Sequence, residues 1–120
     1  MSPANPKAEY RVLPLPLVQR DAKKLLSARQ LREAITVAKH LRHYPAIPEL
    51  SIEHCGDGLE LRLESPAINP RGWLRAIFWI HENSRTIYIV HLFWKKTNRV
   101  TVADIHLANS RIRQLKAQLR

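Results

Sequence analysis

The spacing of apolar residues divides the first half of the chain into helical segments. Apolar side chains recur there every three or four positions, which is typical of the buried stripe of a helix. Pro16 can open a helix, and Ser27 followed by Gln30 resembles a capping box. We therefore predict two consecutive helices, over roughly residues 16–26 and 28–43, with one bent helix as the alternative.

Extended segments surround these helices. Tyr10–Leu13 fits a short strand, and the leucines of residues 59–63 alternate with charged residues, as in a half-buried strand. The segment Cys55–Gly58, directly before the second of these strands, has the composition of a turn. Trp73–Ile80 is apolar except for one arginine and predicts a central strand, and Thr86–Trp94 predicts another strand.

A last helix is predicted to begin near Thr101, whose hydroxyl is placed to cap the amide of Asp104. The predicted order is β-α-α-β-β-β-α. We therefore expect an α+β fold, in which an antiparallel sheet carries its helices packed on one face. Residues 1–9 are expected to form a flexible tail, and residues 10–120 a single domain.

The positive charge of the chain indicates that this globular domain binds anions. The 20 Lys and Arg residues against 10 Asp and Glu give a net charge of +10. Residues 61–120 carry 11 of the basic and three of the acidic residues. A concentrated positive field attracts polyanions, of which nucleic acid ranks first, ahead of an anionic membrane surface or an acidic protein.

The cysteine, histidine and glycine content and the apolar runs indicate the cellular compartment and the cofactors to expect. Cys55 is the single cysteine, so no disulfide forms within the chain, which suits a reducing cytoplasm. The first ten residues contain no apolar run typical of a signal peptide, and no apolar run is long enough to span a membrane. The histidines have no spacing that suggests a metal site, and the three glycines form no phosphate loop, so we expect no cofactor.

Arg75 is the first candidate for a functional residue, because it interrupts an otherwise apolar strand. A cation among large aromatic side chains is costly unless it has a partner. Arg75 therefore either pairs with a carboxylate, such as that of Glu60 or Glu64, or lines a concave site that binds a phosphate. Arg62 is expected to meet Arg75 across neighbouring strands, although a solvated strand arginine is the alternative.

Further candidates lie near the end of the last predicted strand. Lys95 and Lys96 close that strand, and Arg99 follows near the start of the last helix, whose amides favour anions. Trp94, beside the lysine pair, is a candidate for stacking on a base. His91, placed on one strand face with Ile87, Ile89 and Phe93, is either a hydrogen-bonded core residue or a proton-transfer group.

The segment from His91 to Arg111, HLFWKKTNRVTVADIHLANSR, resembles the C-terminal signature of RelE/ParE-superfamily toxins, in particular their phage-derived, HigB-like branch. Residues 58–62, GLELR, resemble the strand of that superfamily in which a glycine is followed by E-L-R, and residues 74–78, LRAIF, resemble its arginine-containing strand. The resemblance covers about residues 57–111 well. It implies a RelE-like fold.

The resemblance also implies the toxin of a type II toxin–antitoxin system, a metal-independent endoribonuclease that cuts mRNA on the ribosome and inhibits translation. Arg62 and Arg75 would then stabilise the transition state. Lys95 or Lys96 would position the RNA backbone or act as a base. Arg111 matches the signature and would serve structure as well as RNA binding.

The chain departs from many RelE-like nucleases in one respect, because no tyrosine follows Tyr88. The acid–base role is therefore expected to fall to His91 or His106. A ParE-like gyrase inhibitor and a non-catalytic nucleic-acid-binding module are the alternative functions. The resemblance implies an antitoxin partner, a helix-turn-helix protein with an acidic contact surface, besides mRNA and the ribosome.

Overall fold

The computed structural model describes residues 9–68, 73–95 and 99–119, which form one mixed sheet and three helices. The strands are β1 (Arg11–Pro14), β2 (Ile52–Cys55), β3 (Gly58–Leu63), β4 (Leu74–His81) and β5 (Thr86–Trp94). The helices are α1 (Pro16–Leu25), α2 (Ala28–Lys39), which continues into a 3₁₀ turn (His40–His43), and α3 (Val102–Gln118). No helix among these residues is long and apolar enough to cross a membrane.

The sheet confirms the α+β class and adds one strand to the predicted order. Its strand order is β1-β5-β4-β3-β2, so β4 is central, as predicted. The unpredicted strand β2 forms a tight hairpin with β3 across Gly56 and Asp57, and Gly56 has the positive φ of 58° that such a turn favours. The expectation of a purely antiparallel sheet was wrong at one edge, where β1 pairs with β5 in parallel.

The helix starts follow the local signals in the sequence. Pro16 occupies the first turn of α1, and Ser27 and Gln30 form a reciprocal capping box at the start of α2. The hydroxyl of Thr101 accepts a hydrogen bond from the Asp104 amide and donates one to the Asp104 carboxylate. These caps fix where α2 and α3 begin, and α3 begins beside the end of β5.

The helices cover both faces of the sheet, so the prediction of helices on a single face was wrong. Residues of α1 and α2 share one apolar core with Ala76 and Phe78 of β4. Residues of α3 share a second core with Ile77, which points to the opposite face of the same strand. The nearly continuous apolar sequence of β5 is typical of a strand buried on both faces.

A β-bulge in β5 changes which residues share a face. Ile77 pairs with His91 whereas Phe78 pairs with Ile89, so the intervening Val90 has no partner of its own in the ladder. His91 therefore does not share a face with Ile87 and Ile89, as the alternation had predicted, because the extra residue reverses the alternation.

The edge strand β1 is held by a hydrogen bond that makes a testable contribution to stability. The Tyr10 hydroxyl donates to the Glu82 carboxylate at 2.9 and 3.0 Å, and the Arg85 guanidinium lies 3.8 Å from the centre of the Tyr10 ring. Burial raises the pKa of Tyr10, and the hydrogen bond to Glu82 raises it further. Because the folded state thus binds the phenolic proton more tightly, this contribution to stability is present below the ordinary tyrosine pKa and is lost as the pH rises through the raised value.

We expect Tyr10→Phe to lower the free energy of unfolding by about 1 kcal/mol at neutral pH. The ring and its contact with Arg85 remain in this variant, so the loss belongs to the hydroxyl. Urea unfolding of the wild type, Tyr10→Phe and the control Tyr44→Phe measures it. The difference from wild type should shrink at alkaline pH, and a difference that persists unchanged there would contradict this assignment.

Candidate functional site

Two arginines on neighbouring strands stand directly opposite each other on the face of the sheet that α3 partly covers. Arg62 of β3 and Arg75 of β4 are register partners, and Phe93 of β5 is the next partner along. Residues opposite each other in antiparallel strands have Cα atoms about 5 Å apart and side chains on the same face. The structure therefore confirms the expected meeting of Arg62 and Arg75 on one surface.

A buried carboxylate lies beside these arginines. Arg75 and Glu60 are only 6% and 8% exposed in their side chains, and Arg75 Nε lies 3.4 Å from Glu60 Oε2. Lys95 Nζ lies 3.9 Å from the same oxygen. Of the two sequence-based possibilities for Arg75, pairing with a carboxylate is thus observed. We refer to Arg62, Arg75 and Lys95 around Glu60 as the basic cluster.

The basic cluster carries more positive charge than its central carboxylate can balance. Burial lowers the pKa of Arg75, and the positive charge of Arg62 lowers it further, while the carboxylates of Glu60, Glu64 and Glu53 raise it. Arg62 contacts Glu64 at 3.1 Å, but both side chains are nearly half exposed, and pairs of this kind are weak. Like charges facing each other across a sheet are destabilising, so an anion that contacts both arginines would be stabilised here.

The remaining predicted cations follow β5 in the chain, and of these the structure brings Lys95 into the basic cluster. Lys95 follows β5 directly, and its amide donates a 2.6 Å hydrogen bond to the Trp73 carbonyl, which fixes the backbone next to Arg75. Arg99 is exposed before α3. Lys96 lies outside the described residues.

His91 is held in a pair with Asp104 on the same face of the sheet. Its Nε2 lies 2.7 Å from Asp104 Oδ1, and its ring stacks on Phe93 with centres 5.0 Å apart. The second ring nitrogen, Nδ1, is buried, and no group in the described part of the chain forms a hydrogen bond with it. The pair with Asp104 thus links His91 of β5 to the first turn of α3. His106, the other candidate for the acid–base role, is exposed on α3.

Two residues predicted to contact RNA have structural contacts instead. Trp94 lies on the opposite face from the basic cluster, where it packs against the core under α1 and α2, and its Nε1 donates to the Leu25 carbonyl at 3.2 Å. Arg111 donates a 2.7 Å hydrogen bond to the carbonyl of Val90, the bulge residue. The structure therefore does not bring Trp94 to the basic cluster, and it ties Arg111 to the backbone of β5.

The sequence did not predict the part that two acidic residues, Glu60 and Asp104, play in this region. Glu60 was considered only as one of two possible partners of Arg75, although its alternation with Leu59 and Leu61 already placed it on the face of Arg62. The capping pattern of Thr101 included the amide of Asp104, but nothing in the sequence indicated that the Asp104 carboxylate pairs with His91. Within residues 9–68, 73–95 and 99–119, no group of three His, Cys, Asp or Glu side chains could hold a metal ion.

Solved toxin structures share this fold at low sequence identity. The chain matches a chain of the archaeal RelE–RelB complex from Pyrococcus horikoshii OT3 (TM-score 0.52, 20% identity), with 73% of this chain and 97% of that one covered. It also matches the toxin–antitoxin complex RelBE2 from Mycobacterium tuberculosis (TM-score 0.55, 18% identity, 75% and 95% covered). A mutant of the E. coli toxin RelE in the free state matches with a TM-score of 0.60 and 12% identity, with 87% and 98% covered.

These likenesses confirm the RelE-like fold implied by the sequence resemblance. None of the curated protein sequences matches the chain significantly. A protein family does match, over residues 23–113, and its description is Phage derived protein Gp49-like (DUF891). The matched segment contains α2, the whole hairpin-connected part of the sheet and most of α3, so the chain belongs to this Gp49-like family of phage-derived proteins.

Proposed function

We propose that this chain is the toxin of a type II toxin–antitoxin pair and acts as a metal-independent endoribonuclease on mRNA at the ribosome. The observation that carries the proposal is the basic cluster, in which Arg62 and Arg75 face each other beside the buried carboxylate of Glu60. The RelE-like fold and the net charge of +10 support it. The partner of such a toxin is an antitoxin with an acidic contact surface, and its place of action is the cytoplasm.

The proposed reaction is attack of a ribose 2′-oxygen on the adjacent phosphorus. The new bond joins the 2′-oxygen to phosphorus, the bond from phosphorus to the 5′-oxygen breaks, and the products are a 2′,3′-cyclic phosphate and a 5′-hydroxyl. The reaction therefore needs an acceptor for the 2′-hydroxyl proton, cations for the charge on the phosphorane-like transition state, and a proton donor for the 5′-oxygen.

The basic cluster offers a group for each of these tasks. Arg62 and Arg75 provide planar guanidinium groups that match the oxygens of a phosphate. When phosphate oxygens replace Glu60 as the ion-pair partner of Arg75 and Lys95, the carboxylate of Glu60 becomes free to accept the 2′-hydroxyl proton. Lys95 provides N–H donors to the leaving 5′-oxygen. His91 stays a candidate for proton transfer if its pair with Asp104 opens on RNA binding.

Cell-free translation with added protein, followed by primer extension on the mRNA, tests the proposal. We expect discrete cuts that appear only when ribosomes translate the message. Intact mRNA together with strongly salt-dependent RNA binding would indicate a non-catalytic binding module instead. Intact mRNA together with inhibited DNA supercoiling in a gyrase assay would indicate a ParE-like inhibitor.

A matched pair of arginine variants tests whether the cuts come from the basic cluster. Arg62→Ala removes a guanidinium that is half exposed, so the fold should remain intact. We expect this variant to cut mRNA about 100-fold more slowly, the usual loss for one electrostatic donor to a transition state. Arg113→Ala removes the same charge from the exposed side of α3 and should cut at the wild-type rate. Equal rates in the two variants would place the active site elsewhere.

A further inference from the structure

Strand β5 reverses the alternation of its side chains at the bulge residue, Val90. Before this residue, Tyr88 packs against the core beneath α3, whereas Ile89 belongs to the core beneath α1 and α2. After it, Phe93 belongs to the core beneath α3 and Leu92 to the core beneath α1 and α2. Even-numbered residues therefore face α3 up to the bulge, and odd-numbered residues face α3 beyond it.

The position of the bulge determines which side chains from the end of β5 reach the basic cluster. Phe93 is the register partner of Arg75. Lys95, which directly follows β5, comes within 3.9 Å of Glu60 on the same face. If the extra residue were taken up further along β5, the side chains in between would turn towards α1 and α2, because a one-residue slip moves a side chain to the other face of a sheet.

Arg111 binds the backbone carbonyl of the bulge residue. Val90 is fully buried, and the extra residue of a bulge has no partner in the ladder, so its carbonyl needs another hydrogen-bond donor. Arg111 of α3 donates to this carbonyl at 2.7 Å. Two turns earlier in the same helix, Asp104 contacts the ring of His91, the residue that follows the bulge, at 2.7 Å. Polar side chains of α3 thus hold two consecutive residues of β5.

We propose that Arg111 is a positioning residue that fixes the bulge of β5 at Val90. With the bulge fixed there, Phe93 and Lys95 stay on the face of the basic cluster. Arg111 serves the cluster in this way through the backbone of β5, without contact with the substrate. The effect on mRNA cleavage rests on the proposed function, whereas the effect on the bulge does not.

Three variants of the intact chain test the proposal by steady-state cleavage of mRNA on ribosomes. Arg111→Met removes the donor and keeps an apolar stem, whereas Arg111→Lys keeps a donor for the carbonyl. We expect Arg111→Met to lower kcat about tenfold and to leave KM within about twofold, because misplaced groups slow the reaction itself. Arg111→Lys should recover most of kcat. The control, Arg113→Met, removes the same charge from the exposed side of α3 and should match the wild type.

The ring N–H signals of two histidines in the NMR spectrum report on the bulge without any RNA. Asp104 holds the ring N–H of His91, and the carbonyl of Leu119, at the other end of α3, holds that of His81, so both should exchange slowly with water. His91→Gln and His81→Gln assign the two signals. Arg111→Met should lose the His91 signal and keep the His81 signal, and Arg111→Lys should show both.

Three results would overturn the proposal. A His91 signal that persists in Arg111→Met would show that the bulge does not depend on Arg111. Loss of the His81 signal as well would mean that Arg111 holds the whole of α3 on the sheet. A raised KM with unchanged kcat and both signals intact would indicate direct contact between Arg111 and RNA. If the wild-type chain cuts no mRNA, the proposed function fails, and the His91 signal still decides whether Arg111 fixes the bulge.

Discussion

Arg75→Lys is expected to lower the rate of mRNA cleavage at least about tenfold while the fold keeps its stability. The ammonium group of this variant can still pair with the buried carboxylate of Glu60, which prevents an uncompensated charge in the core. It cannot present the two parallel N–H donors that a phosphate receives from a guanidinium. Single-turnover cleavage of a ribosome-bound message and urea unfolding of the same preparation provide the two measurements.

Arg75→Met should lose both the cleavage activity and the stability of the fold. Removing the cation leaves the Glu60 carboxylate with Lys95, at 3.9 Å, as its remaining partner in the basic cluster, and losing one partner of a buried ion pair typically costs about 3 kcal/mol. We expect cleavage to fall at least about 100-fold in this variant. The contrast between Lys and Met at one position separates the role of Arg75 in phosphate recognition from its role in the core.

Arg85→Lys is the matched control, because Arg85 also pairs with a carboxylate, that of Glu82, but lies in the turn between β4 and β5, at the opposite end of β5 from Lys95. It should cut mRNA at the wild-type rate. Two results would count against a functional role of Arg75. One is full cleavage by Arg75→Lys and Arg75→Met. The other is an Arg75→Lys variant as unstable as Arg75→Met, which would mean that Arg75 serves the core and that any loss of cleavage follows from the fold.

Local spacing in the sequence predicted the features that depend on nearest neighbours. The capping residues Ser27 and Thr101 mark the helix starts, and the single arginine in an apolar run marks the position where a cation is buried. Alternation along β3 also placed Arg62 on the face that meets Arg75. These features need no knowledge of distant contacts, because a cap or a strand face is set by residues two to four positions away.

Features that depend on distant pairing could not be predicted in this way. Alternation placed His91 with Ile87 and Ile89, but one extra residue at Val90 moved it to the other face, and a bulge leaves no mark in a continuously apolar strand. The prediction for Trp94 failed for a different reason. Trp94 stands beside the lysine pair in the sequence, yet its side chain points to α1 on the opposite face of the sheet. Likewise, the burial of Glu60 goes together with its contacts with Arg75 of β4 and with Lys95, which directly follows β5.

Gly58→Ala is expected to lower the free energy of unfolding by about 2–3 kcal/mol. A Cβ at this position would lie 2.7 Å from the Phe78 carbonyl oxygen and 3.1 Å from Ile112 Cδ1 of α3. The carbonyl belongs to the backbone of the neighbouring strand and cannot rotate away, so β3 has to move. Since β3 carries Glu60 and Arg62, this movement should also slow mRNA cleavage, because a displacement of about 1 Å in a reacting group can reduce a rate 100-fold.

Asp57→Ala is the control for this effect, because it removes an exposed side chain from the same turn and keeps the hydrogen bond from the Asp57 amide to Asn109. Urea unfolding of both variants should show a loss for Gly58→Ala that far exceeds that for Asp57→Ala. Equal stability of the two variants would mean that β3 has room to move away from both β4 and α3. The close packing of α3 on β3 would then not be what holds Glu60 and Arg62 beside Arg75.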